Sequence, residues 1–124
     1  MIKNLYWYDM ALKLRDYLKA YRNREGKRLF DYLEDRDSLI IKVGSGNAGE
    51  YPAINILFGE EMDVKKQGSI TTAKVELWID IYVKGAATND VDYDDMLYRQ
   101  MFFAEKELVE ALNSFNIYLH RENF

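Results

Sequence analysis

An alternating run of apolar and polar side chains over residues 70–84 restricts the fold more than any other feature of this sequence. From residue 75 to residue 83 every second position is aliphatic, so one face of the predicted strand carries Val75, Leu77, Ile79, Ile81 and Val83. The opposite face carries charged and aromatic side chains, namely Lys74, Glu76, Trp78, Asp80, Tyr82 and Lys84. Because strands of parallel sheets are usually apolar on both faces, this pattern predicts an antiparallel sheet with one packed face and one partly hydrated face.

Helices are predicted at both ends of the chain from apolar positions spaced three or four residues apart. The N-terminal stripe consists of Trp7, Met10, Ala11, Leu14, Tyr17, Leu18 and Tyr21. Gly26 is a stop signal, and residues 29–33 suggest one or two further helical turns, which leaves open one broken helix or two. The C-terminal stripe consists of Leu97, Met101, Ala104, Leu108, Ala111 and Leu112.

The C-terminal helix has predicted limits at both of its ends. Residues 88–90 offer capping side chains at its start, and the helix is expected to end near residues 113–114. Residues 117–119 suggest one further short strand. We expect Leu77, Ile79 and Ile81 to be buried against this helix.

Two shorter strands are predicted before the alternating one, at residues 39–43 and 53–58. Pro52 leads into the second of them, and a charged loop spans residues 59–68. The element order is helix, three strands, helix, which predicts an α+β fold with a small antiparallel sheet of three to four strands. The length of 124 residues suits one core, so residues 1–124 are predicted to form a single domain.

Composition excludes several kinds of chemistry. The chain has no Cys and one His, which removes disulfides, thiolate nucleophiles and Cys-based zinc sites. No apolar run approaches the roughly 18 residues that cross a membrane, and no secretory leader opens the sequence. We therefore expect a soluble intracellular protein that uses neither a cofactor nor a metal.

Two motifs match known sites in letters but not in context. Residues 44–49 read G-x-G-x-x-G, but a dinucleotide site needs a helix next, and a strand is predicted there. We interpret this segment as a flexible hairpin loop.

Asp90, Asp92 and Asp94 resemble the start of a calcium loop, yet the Gly and Glu required at its sixth and twelfth positions are missing. Carboxylates are favoured in the first turns of a helix, which explains these aspartates.

No catalytic residue is predicted. His120 has no recognisable partner and cannot alone form a metal site or a triad. Arg15 and Lys19 share a basic helix face, but Tyr17 and Tyr21 lie on the apolar stripe. Stacking platforms for nucleic acids need basic and aromatic groups on one surface, so we expect no specific nucleic-acid binding.

Trp78 and Tyr82 are the most informative side chains of the alternating strand. They lie on its polar face, and aromatic residues among charges are typical of protein interfaces. The competing interpretation is that the N-terminal helix or the C-terminal tail covers these rings.

The chain resembles the tail terminator (tail-completion) proteins of long-tailed bacteriophages and prophages. The resemblance rests on the order of five features. These are an N-terminal helix, the proline-led strand at residues 51–56, the charged segment 59–68, the alternating strand 75–83 and a final amphipathic helix. The Tyr-rich first helix and the tail after Phe115 do not map onto the family. The resemblance implies a ring, usually a hexamer, that caps the tail tube and meets the head–tail connector protein. It implies no catalysis, no cofactor and no membrane, and it places the protein in the virion neck after assembly in the host cytoplasm.

A ring requires a contact between copies, for which we expect Trp78 and Tyr82 to supply the apolar centre. The segment 59–68 is expected to be mobile in the free subunit and ordered by a neighbour through its charged side chains, Glu60, Glu61, Asp63, Lys65 and Lys66. Two alternatives stay open. One is another neck or connector component, and the other is a small ligand-binding domain or enzyme with a pocket at Tyr51, Trp78 and Tyr82.

Overall fold

The computed structural model describes residues 2–44, 51–83 and 91–121. The elements are helix α1 (Ile2–Ala20), a short 3-10 helix (Arg36–Ser38), strands β1 (Ile40–Val43), β2 (Ala53–Gln67) and β3 (Ile70–Tyr82), and helix α2 (Val91–Arg121). This is the predicted α+β order of helix, three strands and helix. The predicted caps at residues 88–90, like most of the segment 44–49, lie outside the described residues.

The strands lie side by side in the order β1-β2-β3, so β2 is central. β2 and β3 pair antiparallel as predicted, with Ile56 opposite Ile79. The prediction is wrong at β1, which pairs parallel with β2 and places Ile40 beside Ala53. The interpretation of residues 44–49 as a hairpin loop is therefore wrong too, because a hairpin joins antiparallel strands. Only four residues of β1 are paired, a length of about 13 Å. The nine residues between β1 and β2 are enough to return the chain over that distance.

The predicted charged loop is wrong, because residues 59–67 continue β2. They pair with the first part of β3, and Gln67 lies opposite Ile70 at the end of the ladder. Gly68 takes a φ of 63° in the turn that follows, a conformation that glycine adopts without strain. Charged side chains suggest a loop by composition, but a ribbon hydrated on both faces accepts them equally well.

The paired ribbon extends beyond the three-stranded sheet. β1 reaches along β2 only to Ile56, whereas β2 and β3 remain paired to their turn. Two register shifts, after Phe58 and after Met62, interrupt this pairing. Residues 59–76 therefore form a two-stranded projection, which we call the hairpin arm.

Both helices pack on one face of the sheet. Ile54 and Ile56 of the central strand are fully buried beneath them, and Ile79 and Ile81 of β3 are partly buried at the edge of the same core. The predicted stripes are confirmed at their central positions in both helices. The buried cluster consists of Ala11, Leu14, Leu18, Leu29, Phe30, Ile41, Ile54, Ile56, Ala104, Leu108, Ala111 and Phe115.

Helix α2 does not end at residues 113–114, and the predicted strand at 117–119 is wrong. The helix continues to Arg121 because its apolar stripe continues to Phe115 and Tyr118. The Tyr17 ring of α1 lies 5.2 Å from the Phe115 ring and 5.4 Å from the Tyr118 ring. Ser114, which reads as a stop signal, instead forms a hydrogen bond between its hydroxyl and that of Tyr17.

The connector between α1 and β1 (residues 21–39) has turns where we predicted helix at residues 29–33. Leu29 and Phe30 enter the core from it and are almost completely buried. Phe30 has a φ of 63°, which is unfavourable for a bulky side chain and persists because the surrounding packing holds it. Arg28 donates to the side chains of Asp31 and Asp37, at 3.0 and 3.1 Å, and ties the connector together.

Replacing Ile56 by Ala should lower the free energy of unfolding by about 2–5 kcal/mol, since a fully buried side chain leaves a cavity. Ile117→Ala is the matched control, because Ile117 is 57 % exposed on α2 and should change stability by less than about 0.5 kcal/mol. Denaturant titration in dilute solution measures both values. Equal losses would contradict the assignment of the core.

Candidate functional site

Trp78 lies at the base of the hairpin arm, on the sheet face turned away from the helices. It is opposite Leu57 in the ladder, and 53 % of it is exposed. A Cβ at Gly59 would lie 2.9 Å from Trp78 Nε1 and 2.9 Å from Glu76 Cβ. The missing side chain of Gly59 therefore provides the space in which the indole rests. Trp78 is exposed, whereas Tyr82 is half-buried.

The predicted charged residues lie along the arm and not in a loop. Lys65 and Lys66 are exposed near its tip. Glu60, Glu61 and Asp63 lie on β2 with side chains outside the described set. The predicted contact surface is thus split between the base and the tip of one ribbon.

Among the described residues, the cavities found do not join Tyr51, Trp78 and Tyr82. Tyr51 is exposed ahead of β2, and Trp78 lies at the base of the arm. Tyr82 lines a different cavity, between β3 and α2. His120 is on α2, and its side chain lies outside the described set.

An open groove lies between β3 and α2, and the sequence analysis did not predict it. Its volume is about 830 Å³. Most of its lining is aliphatic or aromatic, and Asp80 and Glu105 are its two charged residues. The lining residues are Leu77, Ile79, Asp80, Ile81, Tyr82, Tyr98, Met101, Phe102, Glu105, Leu108, Val109 and Leu112.

The groove stays open because α2 carries more apolar positions than the core can cover. Its buried stripe passes through Ala104 and Leu108, but Tyr98 and Phe102 lie on the flank beside β3 and are 75 % and 70 % exposed. Leu77, which we expected to be buried against α2, is 38 % exposed. A second stripe of this kind is detectable in sequence, since Tyr98, Phe102 and Val109 have helical spacing.

The opposite flank of α2 is covered by the connector. The Tyr32 hydroxyl donates to the Gln100 carbonyl at 2.9 Å, and the Tyr32 ring meets the Phe103 ring edge-on at 6.3 Å. The Phe30 N–H donates to Glu107 Oε2 at 3.3 Å. Burial raises the pKa of the Tyr32 hydroxyl well above its ordinary value, and the charge of Glu107 adds to the effect. One flank of α2 therefore has an internal partner, and the groove flank has none among the described residues.

Comparison with protein-family models, with curated protein sequences and with solved structures finds no match. Within residues 2–44, 51–83 and 91–121, no three His, Asp or Glu side chains are grouped so that they could hold a metal ion. No helix in this part of the chain is both long and apolar enough to span a membrane.

Trp78→Ala and Phe102→Ala should both leave the fold intact, because more than half of each side chain is already in water. We expect losses of at most about 1 kcal/mol in the free energy of unfolding, measured by thermal or denaturant unfolding. A loss of about 3 kcal/mol or more for either variant would place that ring in the core.

The stability of the connector contact should depend on pH through Glu107. Burial raises the pKa of this carboxyl, and the hydrogen bond from the Phe30 N–H offsets part of the effect. The folded state thus prefers the protonated form of Glu107. As pH falls from 7 through the raised pKa, this group increases the free energy of unfolding. The increase is complete below the ordinary pKa of 4.5. Glu107→Gln should remove this pH dependence, because Gln does not titrate. The free energy of unfolding of the variant should therefore exceed that of the wild type most at pH 7. Parallel stability–pH profiles for the two proteins would contradict the prediction.

Proposed function

We propose that this chain is a structural assembly protein, the tail terminator of a long-tailed bacteriophage or prophage. It acts as a ring that closes the end of the tail tube and joins the tube to the head–tail connector protein. The resemblance implies six copies in this ring. The observation that carries the proposal is the exposed apolar surface on two separate sides of a small domain. One side is Trp78 at the base of the hairpin arm, where it is 53 % exposed, and the other is the groove with Tyr98 and Phe102.

Large exposed apolar patches usually mark contacts with other molecules. Two different patches on one subunit suit a head-to-tail contact, and head-to-tail contacts are those that close rings of more than two copies. Closure stops tube growth because the last ring presents a surface on which no further tube subunit fits. The mechanism is geometric and requires no reacting group.

The ring would have two kinds of partner besides its own copies. One face meets the tail tube protein, and the other meets the head–tail connector protein. These contacts place the protein in the neck of the virion, after assembly in the host cytoplasm. They involve neither a membrane nor specific nucleic acid.

The test is a capping assay with the tail tube protein of the same phage or prophage. Tubes polymerised alone should vary in length and have open ends in electron micrographs. Added protein should form rings at tube ends and stop further growth when fresh tube subunits are supplied. Unchanged growth, with no ring at any end, would overturn the proposal.

The groove also supports the second candidate, a ligand-binding domain, because its volume of about 830 Å³ is in the range of small-molecule sites. A thermal-shift screen with nucleotides and metabolites separates the two candidates. A bound ligand would raise the melting temperature with increasing concentration. Such a shift, abolished by Phe102→Ala, would favour ligand binding over ring assembly.

A further inference from the structure

The hairpin arm lacks the support that ribbons of its kind need. Two strands alone are marginally stable in water, and a third strand or a packing partner normally stabilises them. β1 ends beside Ile56, so residues 59–76 have no third strand among the described residues. Lys65, Lys66 and Gln67 are all exposed near the tip.

The outer half of the hairpin arm and the groove have opposite charges, whereas the inner half of the arm carries the acids Glu60, Glu61, Asp63 and Glu76. Residues 64–75, which form the outer half of the arm, contain three Lys and no Asp or Glu. The groove contains Asp80 and Glu105 among apolar side chains. A ribbon that needs a packing partner and a groove that is open thus occur on one chain with complementary charges.

The arm is directed away from the groove of its own chain. Lys66 pairs with Thr71, whereas the part of β3 that lines the groove begins at Leu77. Six residues of extended strand separate these positions, a distance of about 20 Å. The arm can therefore enter only the groove of another molecule.

We infer that the hairpin arm of one copy lies in the β3–α2 groove of the next copy, with Lys65 and Lys66 near Asp80 and Glu105. The inference rests on the self-association in the proposed function and identifies the surfaces that carry it. Arm and groove are different surfaces, so each copy gives an arm to one neighbour and receives one from the other. The charges set the register of the arm, and the exposed Tyr98 and Phe102 rings supply apolar contact.

Cross-linking provides a direct test because the chain contains no cysteine. A variant with Lys66→Cys and Glu105→Cys, treated with a short bismaleimide, should give a ladder of covalent oligomers on a denaturing gel. The matched control combines Lys66→Cys with Asp16→Cys, since Asp16 is exposed on α1, outside the groove. Oligomers from the first variant alone support the inference. Equal yields from both variants, or monomers only, overturn it.

Charge reversal tests the same contact without a covalent bond. Glu105→Lys alone, or Lys65→Glu with Lys66→Glu, should weaken self-association about tenfold or more in sedimentation velocity. The triple variant that carries both reversals should recover most of the loss. Circular dichroism checks that each variant is folded. Losses that add up in the triple variant, or no loss in any of them, would overturn the inference.

The two proposals fail in different ways. If tubes are capped but the cross-link does not form, the ring exists and another surface, such as the one around Trp78, joins its copies. If the cross-link forms but tubes are not capped, the arm–groove contact stands and the tail-terminator proposal fails.

Discussion

Pairing of the central strand β2 determines the rest of this structure. Where β2 has a neighbour on both sides, its Ile54 and Ile56 side chains are fully buried and hold both helices on one sheet face. Beyond residue 56, β3 is its only paired neighbour among the described residues, and the same strand becomes one half of the two-stranded arm. The four paired residues of β1 thus set the boundary between a packed sheet and a free ribbon. Stability comes from the first part, and the surface available for association comes from the second.

Helix α2 follows the same division between covered and uncovered surface. Its core stripe joins the buried cluster of Ile54 and Ile56, and its connector flank is held by the hydrogen bond from Tyr32 and by the aromatic contact with Phe103. Its third flank faces β3 across the groove and keeps Phe102 70 % exposed. In the described part of the chain, Trp78, Tyr98 and Phe102 are more than half exposed. A second copy is the simplest source of the missing surface, and this is the common physical basis of both proposals.

Local periodicity predicted the features that depend only on a residue's own helix or strand, such as which of its faces is buried. The period of two in β3 correctly separated Ile79 and Ile81 from Trp78, and the helical spacing identified the buried stripes. The errors concern partners that are distant in the sequence. The direction of β1 and the pairing that turns a charged segment into an arm leave no local pattern. The extension of α2 past Ser114 does leave one, because Phe115 and Tyr118 continue its apolar spacing. The groove could have been suspected from the second apolar stripe on α2, but its opening depends on how far β3 lies from that helix.

The central claim is that the arm and the groove complete each other between copies of this chain. Hydrogen–deuterium exchange at low and high protein concentration tests it most directly, because the backbone amides of an unsupported ribbon exchange through local opening. The account predicts that amides in the hairpin arm, residues 59–76, slow markedly at high concentration. Amides of residues 53–56, already within the three-stranded sheet, should keep the same rates. Two results would contradict the account. One is self-association of the protein while its arm amides keep the same exchange rates, and the other is a protein that stays monomeric at every concentration.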